Sequence, residues 1–210
     1  MSGFSTTPLS QQEAFACQLL TQQRPWTSHL GGGLAYEAAA RTGLAAHVIA
    51  TRLLDPRERS VRSEITRFGA LAIPAPLVTP LVTEGMKRVS VAMDWVAPLE
   101  RMNRSEGLSR LCAEDRRGGG VRVPLGFLTS FLEFEPTPGA AMKTPVTLTA
   151  PAADTWTPQE LSTPWLSEIA SPTRNVPLAE CGHYPIEEPG VSTLVETLIF
   201  IAREVAPHGG

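Results

Sequence analysis

Two residues in the last third of the chain, Asp154 and His183, have the types and the spacing of an acid–base pair. Each follows a short apolar run of strand type, 145–150 before Asp154 and 175–179 before His183. Their separation of 29 residues suits one loop, one helix and one strand. An aspartate in such a place can orient a histidine and stabilise its charged form, so the imidazole can act as a general base. Taken separately, Asp154 also suits a turn and His183 a loop.

A third stretch, residues 28–43, lies where a reactive group opposite His183 is expected. The Ala-rich run 34–41 predicts a helix, and Gly43 is placed to cap its C-terminus. The three glycines 31–33 ahead of that helix suit either of two roles. They allow a tight turn with a helix N-terminus open to anions, or they let the helix pack closely on a sheet.

The elements that would position these residues alternate between strand and helix. Apolar strand-type runs lie at 46–51, 145–150 and 175–179, and helical patterns follow at 158–169 and 191–205. This alternation predicts an α/β fold, a parallel sheet with helices on both faces and reactive groups at the carboxyl ends of the strands. Thr157 is the predicted N-cap of the helix over 158–169. His47 is expected to be a hydrogen-bonded strand residue.

Between the first two strand-type runs the pattern changes. Residues 58–142 alternate Pro-rich breaks with segments of helical type at 65–72, 81–93 and 99–111, and a strongly apolar run follows at 125–134. We interpret 58–142 as an inserted helical cap, and residues 1–57 and 143–210 as the core domain. The large apolar residues of the cap either line an apolar pocket or form the cap's own core: Met93, Trp95, Met102, Phe127, Phe131 and Phe134.

Composition excludes several classes of function. The net charge is −3 and no strong basic patch is visible, so we expect no nucleic-acid partner. Three widely spaced cysteines give neither a disulfide framework nor a metal-binding pair, which favours a reducing, cytoplasmic compartment. The N-terminal residues lack the pattern of a signal peptide, and no run approaches the ~18 apolar residues of a membrane span. We expect no cofactor and no metal.

From about Gly31 to Val205 the sequence resembles the C-terminal two-thirds of an α/β-hydrolase. The resemblance lies in residues 30–39, 53–56, 154–158 and 181–187. It implies a partial α/β-hydrolase parallel sheet flanked by helices, with an inserted helical cap. It also implies Asp154 as the acid of a catalytic triad and His183 as the general base. The implied substrate is a small ester, thioester or lipid-like acyl compound held under the cap, as in lysophospholipase-like esterases.

The nucleophile is the residue that this resemblance leaves open. The family pattern Gly-x-Ser-x-Gly places the serine two residues before the first packing glycine. Counting back from Gly31 puts His29 at that position and Thr27 where the first glycine belongs. Ser28 lies one residue earlier and is the available serine, although glycines do not flank it. The backbone N–H of Leu30 is the expected oxyanion donor.

Two functions therefore stay open. The first is a Ser-His-Asp type ester hydrolase, and the second is a catalytically inactive hydrolase-like protein that serves binding or interaction. A metal site of His29, Asp154 and His183 is a third alternative, although nothing in their spacing is metal-specific. Residues 1–28 do not have the pattern of the strands that precede the nucleophile in the family. An open sheet edge and self-association along it are therefore expected.

Overall fold

A computed structural model of the chain describes residues 31–67, 69, 79–116 and 118–206. Its helices are α1 (Gly31–Thr42), α2 (Arg59–Ile65), α3 (Met93–Val96), α4 (Glu106–Glu114), α5 (Leu125–Leu132), α6 (Thr163–Glu168) and α7 (Gly190–Val205). Its strands are β1 (Val48–Ala50), β2 (Ser90–Ala92), β3 (Arg122–Pro124), β4 (Val146–Leu148) and β5 (Thr173–Asn175). Short 3-10 turns lie at Thr79–Leu81, Met86–Arg88, Leu99–Arg101, Gly139–Ala141 and Gln159–Leu161.

The larger sheet is parallel, with the strand order β1-β4-β5. Val146 pairs with Val48 of β1 on one side and with Thr173 of β5 on the other. Parallel neighbours require crossover connections, and the chain makes them through the long segment between β1 and β4 and through α6 between β4 and β5. The α/β fold class predicted from the alternation of strands and helices is confirmed.

The two faces of the sheet carry different helices. Val48 and Ala50 pack in one core cluster with Tyr36 of α1 and Trp165 of α6. Ile49, which lies between them in β1, packs instead against Ile201 of α7. Because successive strand side chains point to opposite faces, this alternation places α1 and α6 on one face and α7 on the other.

Close contact between α1 and the sheet explains one of the three glycines. A Cβ added to Gly32 would lie 2.3 Å from the carbonyl oxygen of Arg52 and 3.0 Å from the Cβ of Ala50. Only glycine lets the helix approach this near, so the close-packing role is favoured for this glycine. At the other end of α1, Gly43 adopts a φ of 64° and its N–H donates to Ala39 O at 2.9 Å, as the C-cap prediction requires.

The long segment between β1 and β4 differs from its predicted helices. Helix α2 ends at Ile65, the first residue of the predicted helix over 65–72, and residues 68 and 70–72 of that prediction lie outside the described residues. The predicted helix over 81–93 is wrong, because this part contains a 3-10 turn and then β2. Strand β2 pairs antiparallel with β3, with Val91 opposite Val123. This pairing with a distant part of the chain outweighs the local helical pattern.

Two further helices begin at other residues than predicted, each for a local reason. In place of one helix over 99–111, α4 begins at Glu106 because Ser105 caps it, accepting the N–H of Leu108 at 3.4 Å. In place of one helix over 158–169, a 3-10 turn precedes α6. Pro164 lacks the N–H that a continuous helix needs there, so the helix restarts near it.

Other expectations hold. The Nε2 atom of His47 lies 2.9 Å from the Thr147 hydroxyl of β4, so this histidine is hydrogen-bonded across the sheet as predicted. Helix α7 lies where its apolar pattern placed it, and helix α5 forms in the strongly apolar run 125–134. None of the helices in the described ranges is long and apolar enough to cross a bilayer.

Candidate active site

The carboxyl ends of the three parallel strands bring Arg52, Asp154 and His183 together. Arg52 lies two residues beyond β1, Asp154 follows β4 and His183 follows β5. The two chain segments that follow β4 and β5 remain side by side, because Pro151 and Leu178 form a parallel β-bridge. Because parallel strands end at the same edge of a sheet, residues far apart in sequence meet there.

Asp154 and His183, which the sequence predicts to form an acid–base pair, are in contact. His183 Nδ1 lies 2.9 Å from Asp154 Oδ2, and both side chains are 0% exposed. A carboxylate can only accept, so Nδ1 carries the proton in the neutral imidazole and Nε2 carries the lone pair. This is the tautomer that a general base needs when an aspartate orients it.

The chain just after Asp154 fixes its carboxylate. Oδ1 accepts the backbone N–H groups of Trp156 and Thr157, both at 2.9 Å. The Thr157 hydroxyl donates to Oδ2 at 2.8 Å. Thr157 therefore holds the carboxylate, and its predicted role as a helix N-cap is wrong. The loop after β4 presents the carboxylate in one orientation toward His183.

Arg52 is a residue of this site that sequence reasoning missed. Its Nε and Nη2 atoms donate to Asp154 Oδ2 at 2.9 and 2.6 Å, and its side chain is 1% exposed. Nε also donates to the Thr157 hydroxyl at 2.6 Å, and Nη2 donates to the backbone oxygen of His183 at 2.6 Å. The available signal was an arginine directly after a buried strand, where a charged side chain needs a partner.

Burial and charge shift the protonation of the site. Burial alone would raise the pKa of Asp154, but the Arg52 charge and the hydrogen bond to His183 together hold this pKa well below its usual range. Burial, with the Arg52 charge as a second cause, lowers the pKa of His183 to about 4 against the opposing effect of Asp154. Burial also lowers the pKa of Arg52, and Asp154 opposes that change. At neutral pH His183 is therefore an uncharged imidazole beside an ionised carboxylate.

Two aromatic residues lie near His183 and also line an apolar cavity. The ring of Trp156 is 4.6 Å from that of His183, and the ring of Tyr184 is 6.0 Å away, edge-on. Both Trp156 and Tyr184 also line a cavity of about 400 Å³ whose remaining wall comes largely from the segment between β1 and β4. The cavity therefore lies next to the Asp154–His183 pair.

The large apolar residues singled out in residues 58–142 take three different places. Four of them line the cavity: Met93, Met102, Phe127 and Phe131. Trp95 is 72% exposed and does not line it. Phe134 packs against the core between α1 and the sheet. Three of these four, Met93, Met102 and Phe131, also pack in core clusters, so both alternatives hold for them. Trp95 fits neither alternative.

The loop that carries His183, residues 179–184, is held by residues 102–104. Glu180 adopts a φ of 52°, a left-handed conformation that is costly for a residue with a Cβ. Arg104 Nη1 donates to the carbonyl oxygen of Glu180 at 3.0 Å and to its carboxylate at 3.1 Å. Tyr184 N donates to Met102 O at 3.4 Å. These contacts stabilise the strained turn and fix the histidine that follows it.

Three predicted site residues, Ser28, His29 and Leu30, lie outside the described residues. The structure therefore does not test the nucleophile or oxyanion assignments. The metal alternative also depends on His29. Within residues 31–67, 69, 79–116 and 118–206 there is no group of three side chains that could hold a metal ion.

Comparisons with known proteins show the fold. No protein-family model and no curated protein matches this sequence. The structure is similar to Paleococcus ferrophilus monoacylglycerol lipase, with a TM-score of 0.56, 16% identity and coverage of 92% of this chain and 76% of the lipase. It is similar to a soluble variant of monoglyceride lipase from Saccharomyces cerevisiae in complex with a substrate analog, with a TM-score of 0.61, 11% identity and coverage of 90% and 68%.

A third similar structure is the α/β hydrolase GrgF from Penicillium sp. sh18, with a TM-score of 0.57, 16% identity and coverage of 92% of this chain and 70% of that one. Identities this low carry information on the fold alone. The chain has the α/β-hydrolase fold, with a parallel sheet flanked by helices.

Proposed function

We propose that this chain, which has an α/β-hydrolase fold, is a carboxylic ester hydrolase in which His183 is the general base and Asp154 orients it. The observation that carries the proposal is the buried 2.9 Å contact between His183 Nδ1 and Asp154 Oδ2 at the carboxyl ends of adjacent parallel strands. Two of the similar structures are a monoacylglycerol lipase and a monoglyceride lipase, which supports ester chemistry for this chain.

The proposed nucleophile is Ser28, three residues ahead of the first residue of α1. Its hydroxyl oxygen attacks the acyl carbon and its proton passes to His183 Nε2. The Leu30 N–H donates to the oxyanion that forms. Collapse of the tetrahedral intermediate breaks the bond to the alcohol, which leaves with the proton from His183. A water molecule, deprotonated by the same nitrogen, then releases the acid and regenerates the serine.

The proposed substrate carries an apolar acyl chain. The cavity beside His183 is lined almost wholly by apolar groups and has a volume of about 400 Å³. Small-molecule sites in proteins commonly have volumes of about 300–1,000 Å³ and apolar walls. In this proposal residues 58–142 act as a cap, and their apolar side chains hold the chain while the ester group lies near Trp156 and Tyr184.

Hydrolysis of p-nitrophenyl esters by the wild-type protein, Ser28→Ala and His183→Ala tests the proposal. We expect both substitutions to lower kcat/KM by at least about 10³-fold, because the members of a triad act as one unit. Labelling by a fluorophosphonate probe should disappear in the same two variants, since only an activated serine reacts. Full activity in Ser28→Ala together with loss in His183→Ala would remove Ser28 as the nucleophile and leave the base in place.

A hydrolase-like binding protein without turnover is the second candidate. Arg52 favours it, because the guanidinium offsets part of the negative charge with which Asp154 would stabilise a protonated His183. In this case the apolar cavity binds a ligand that is not cleaved. Absence of probe labelling and of ester turnover, combined with saturable binding of a fatty-acid ester, would support this candidate over the first.

A further inference from the structure

We propose that Arg52 is a further positioning residue of this site, which fixes the Asp154 carboxylate and offsets the negative charge that this carboxylate presents to His183. The effect of Arg52 on catalysis rests on the proposed function, whereas the effect of its charge on the protonation of His183 applies to either candidate. Its structural part, the coupling between Arg52 and the protonation of His183, stands on the geometry of three side chains.

The hydrogen bonds of Arg52 connect all parts of the pair. Its guanidinium donates to Asp154 Oδ2, the same oxygen atom that accepts from His183 Nδ1. It also donates to the Thr157 hydroxyl, which itself donates to that oxygen. Through Nη2 it holds the backbone oxygen of His183 at 2.6 Å. One side chain thus fixes the acid, its supporting hydroxyl and the backbone of the base.

The charge of Arg52 opposes the stabilisation that such an aspartate usually gives to a protonated histidine. In a Ser-His-Asp site the carboxylate stabilises the imidazolium that forms when histidine takes a proton. Here the carboxylate is already paired with a buried guanidinium at 2.6 Å, and both side chains are excluded from water. The nearby positive charge makes protonation of His183 less favourable. His183 should therefore stay neutral at pH values where an ordinary histidine is charged.

Arg52 and Asp154 are the two charged residues that act directly on the protonation of His183. Other groups that titrate or carry charge also lie around it. The charged and titratable groups on the elements packed around it are Arg52, Asp154, Cys181, Tyr184, Glu187 and the Arg104–Glu180 ion pair. Glu187 accepts the N–H of Gly182, and Glu180 is engaged by Arg104.

A ¹⁵N NMR titration of the histidine side chains in the full chain tests the inference without turnover. In the wild-type protein we expect the His183 imidazole to remain neutral at about pH 5.5, because its pKa is lowered to about 4. In Arg52→Gln we expect its midpoint to rise by about one pH unit or more. His47 is the internal reference, since the charges that act on it are those of Glu204 and Arg174. Its midpoint should not change.

A second variant separates charge from hydrogen-bonding geometry. Arg52→Lys keeps a positive charge and loses the forked donors, so its His183 midpoint should stay near that of the wild-type protein. Equal midpoints for His183 in wild type and Arg52→Gln, or equal rises in Arg52→Gln and Arg52→Lys, would overturn the inference. A His183 that is mostly protonated at about pH 5.5 in the wild-type protein would also contradict the inference, and this measurement does not require that Arg52→Gln folds.

The two proposals fail in different experiments. Absence of ester turnover and of probe labelling removes the proposed function, but it leaves the His183 midpoints and their dependence on Arg52 intact. An unchanged midpoint in Arg52→Gln removes the role of Arg52 and leaves the hydrolase proposal in place.

Discussion

At the residue scale, the site depends on a buried cluster of one cation, one anion and one neutral imidazole. Arg52, Asp154 and His183 are almost completely excluded from water. Charges in such surroundings are stable only when each has its partner. The cluster should therefore control both the pH dependence of stability and the sensitivity of the fold to substitution.

The stability of the protein should fall in acid because of His183. Its pKa is about 4 in the folded chain, against 6.5 as the ordinary value. Between these pH values the unfolded chain binds a proton that the folded chain does not, so the free energy of unfolding decreases as the pH falls, by up to about 3 kcal/mol. The lowered pKa of Asp154 does not contribute in this window, because its effect is lost only below its ordinary value of 3.8.

Urea unfolding between pH 7.5 and pH 4.5 measures this dependence. His183→Gln is the control variant, since it removes this titrating group and should reduce the slope in this range; the pKa of His47, which burial also lowers, leaves a residual dependence. An equal slope in the wild-type protein and in His183→Gln would assign the acid sensitivity to other groups.

Removal of the Asp154 charge should be far more costly than removal of a surface acid. Asp154→Asn leaves Arg52 buried without a carboxylate, and we expect a loss of about 3–5 kcal/mol in the free energy of unfolding. The matched control is Glu100→Gln, which removes one partner of the Arg67–Glu100 ion pair. Its side chains are 40% and 58% exposed, so its loss should be within about 1 kcal/mol. Similar losses in the two variants, measured by urea unfolding, would mean that the buried pair is not important for stability.

At the element scale, three strand ends and one loop position the site. The strands β1, β4 and β5 deliver Arg52, Asp154 and His183 to one edge, and residues 102–104 hold the loop of His183 from the other side. The nearest approach is at Gly182. A Cβ there would lie 2.9 Å from Asn103 Cα, 2.9 Å from a carboxylate oxygen of Glu187 and 3.1 Å from Arg104 N.

Gly182→Ala should therefore disturb the loop of His183. Two of the three contacts are to backbone atoms, which cannot rotate away, so we expect a loss of about 1–3 kcal/mol in stability and lower ester hydrolysis. Gly107→Ala in α4 is the control, because its new Cβ would meet only Ser105 Oγ at 3.7 Å. There the better helix propensity of alanine should stabilise the protein by up to about 1 kcal/mol. Thermal unfolding of both variants should show changes of opposite sign.

The site residues and the elements that carry them differ in how far the sequence alone predicts them. Asp154 and His183 could be predicted because each follows its own apolar run, which is a local signal. Arg52 was missed because its partner Asp154 is 102 residues away: the position of Arg52 after a buried strand indicates that it needs a partner, but not which residue that partner is. The helix predicted over 81–93 failed for the same reason, since β2 forms through its pairing with β3 about thirty residues later. Contacts between distant parts of the chain are the information that a single sequence does not display.

At the scale of the whole molecule, an apolar cavity of about 400 Å³ lies between the segment that joins β1 to β4 and the strand ends. Val123 of β3 lines it, whereas Val89 is 52% exposed and does not. If the cavity holds the acyl chain, its free volume should set the length of chain that is accepted.

Val123→Trp should discriminate against long acyl chains. We expect the ratio of kcat/KM for p-nitrophenyl decanoate to kcat/KM for p-nitrophenyl acetate to fall by about tenfold or more. The reason is that each methylene excluded from an apolar pocket costs about 1 kcal/mol. Val89→Trp adds the same side chain outside the cavity and should leave the ratio unchanged. An unchanged ratio in Val123→Trp would place the acyl chain elsewhere.

Self-association along a sheet edge stays a prediction. In the described part of the chain β1 pairs with β4 alone, and an edge of this kind is usually covered or paired. Light scattering at micromolar concentration tests it, with a dimer as the expected result and a monomer as the contrary one.

The contacts of residues 102–104 with the loop of His183 have a consequence for chimeras made from this chain and other proteins of the same fold. Arg104 binds both the backbone and the side chain of Glu180, and Met102 accepts the N–H of Tyr184. A chimera that exchanges the whole of residues 58–142 for the corresponding part of another protein of this fold therefore also removes the contacts that hold the loop of His183. Exchange in two pieces, on either side of residues 102–104, is the design that preserves the position of His183 while the lining of the cavity is changed.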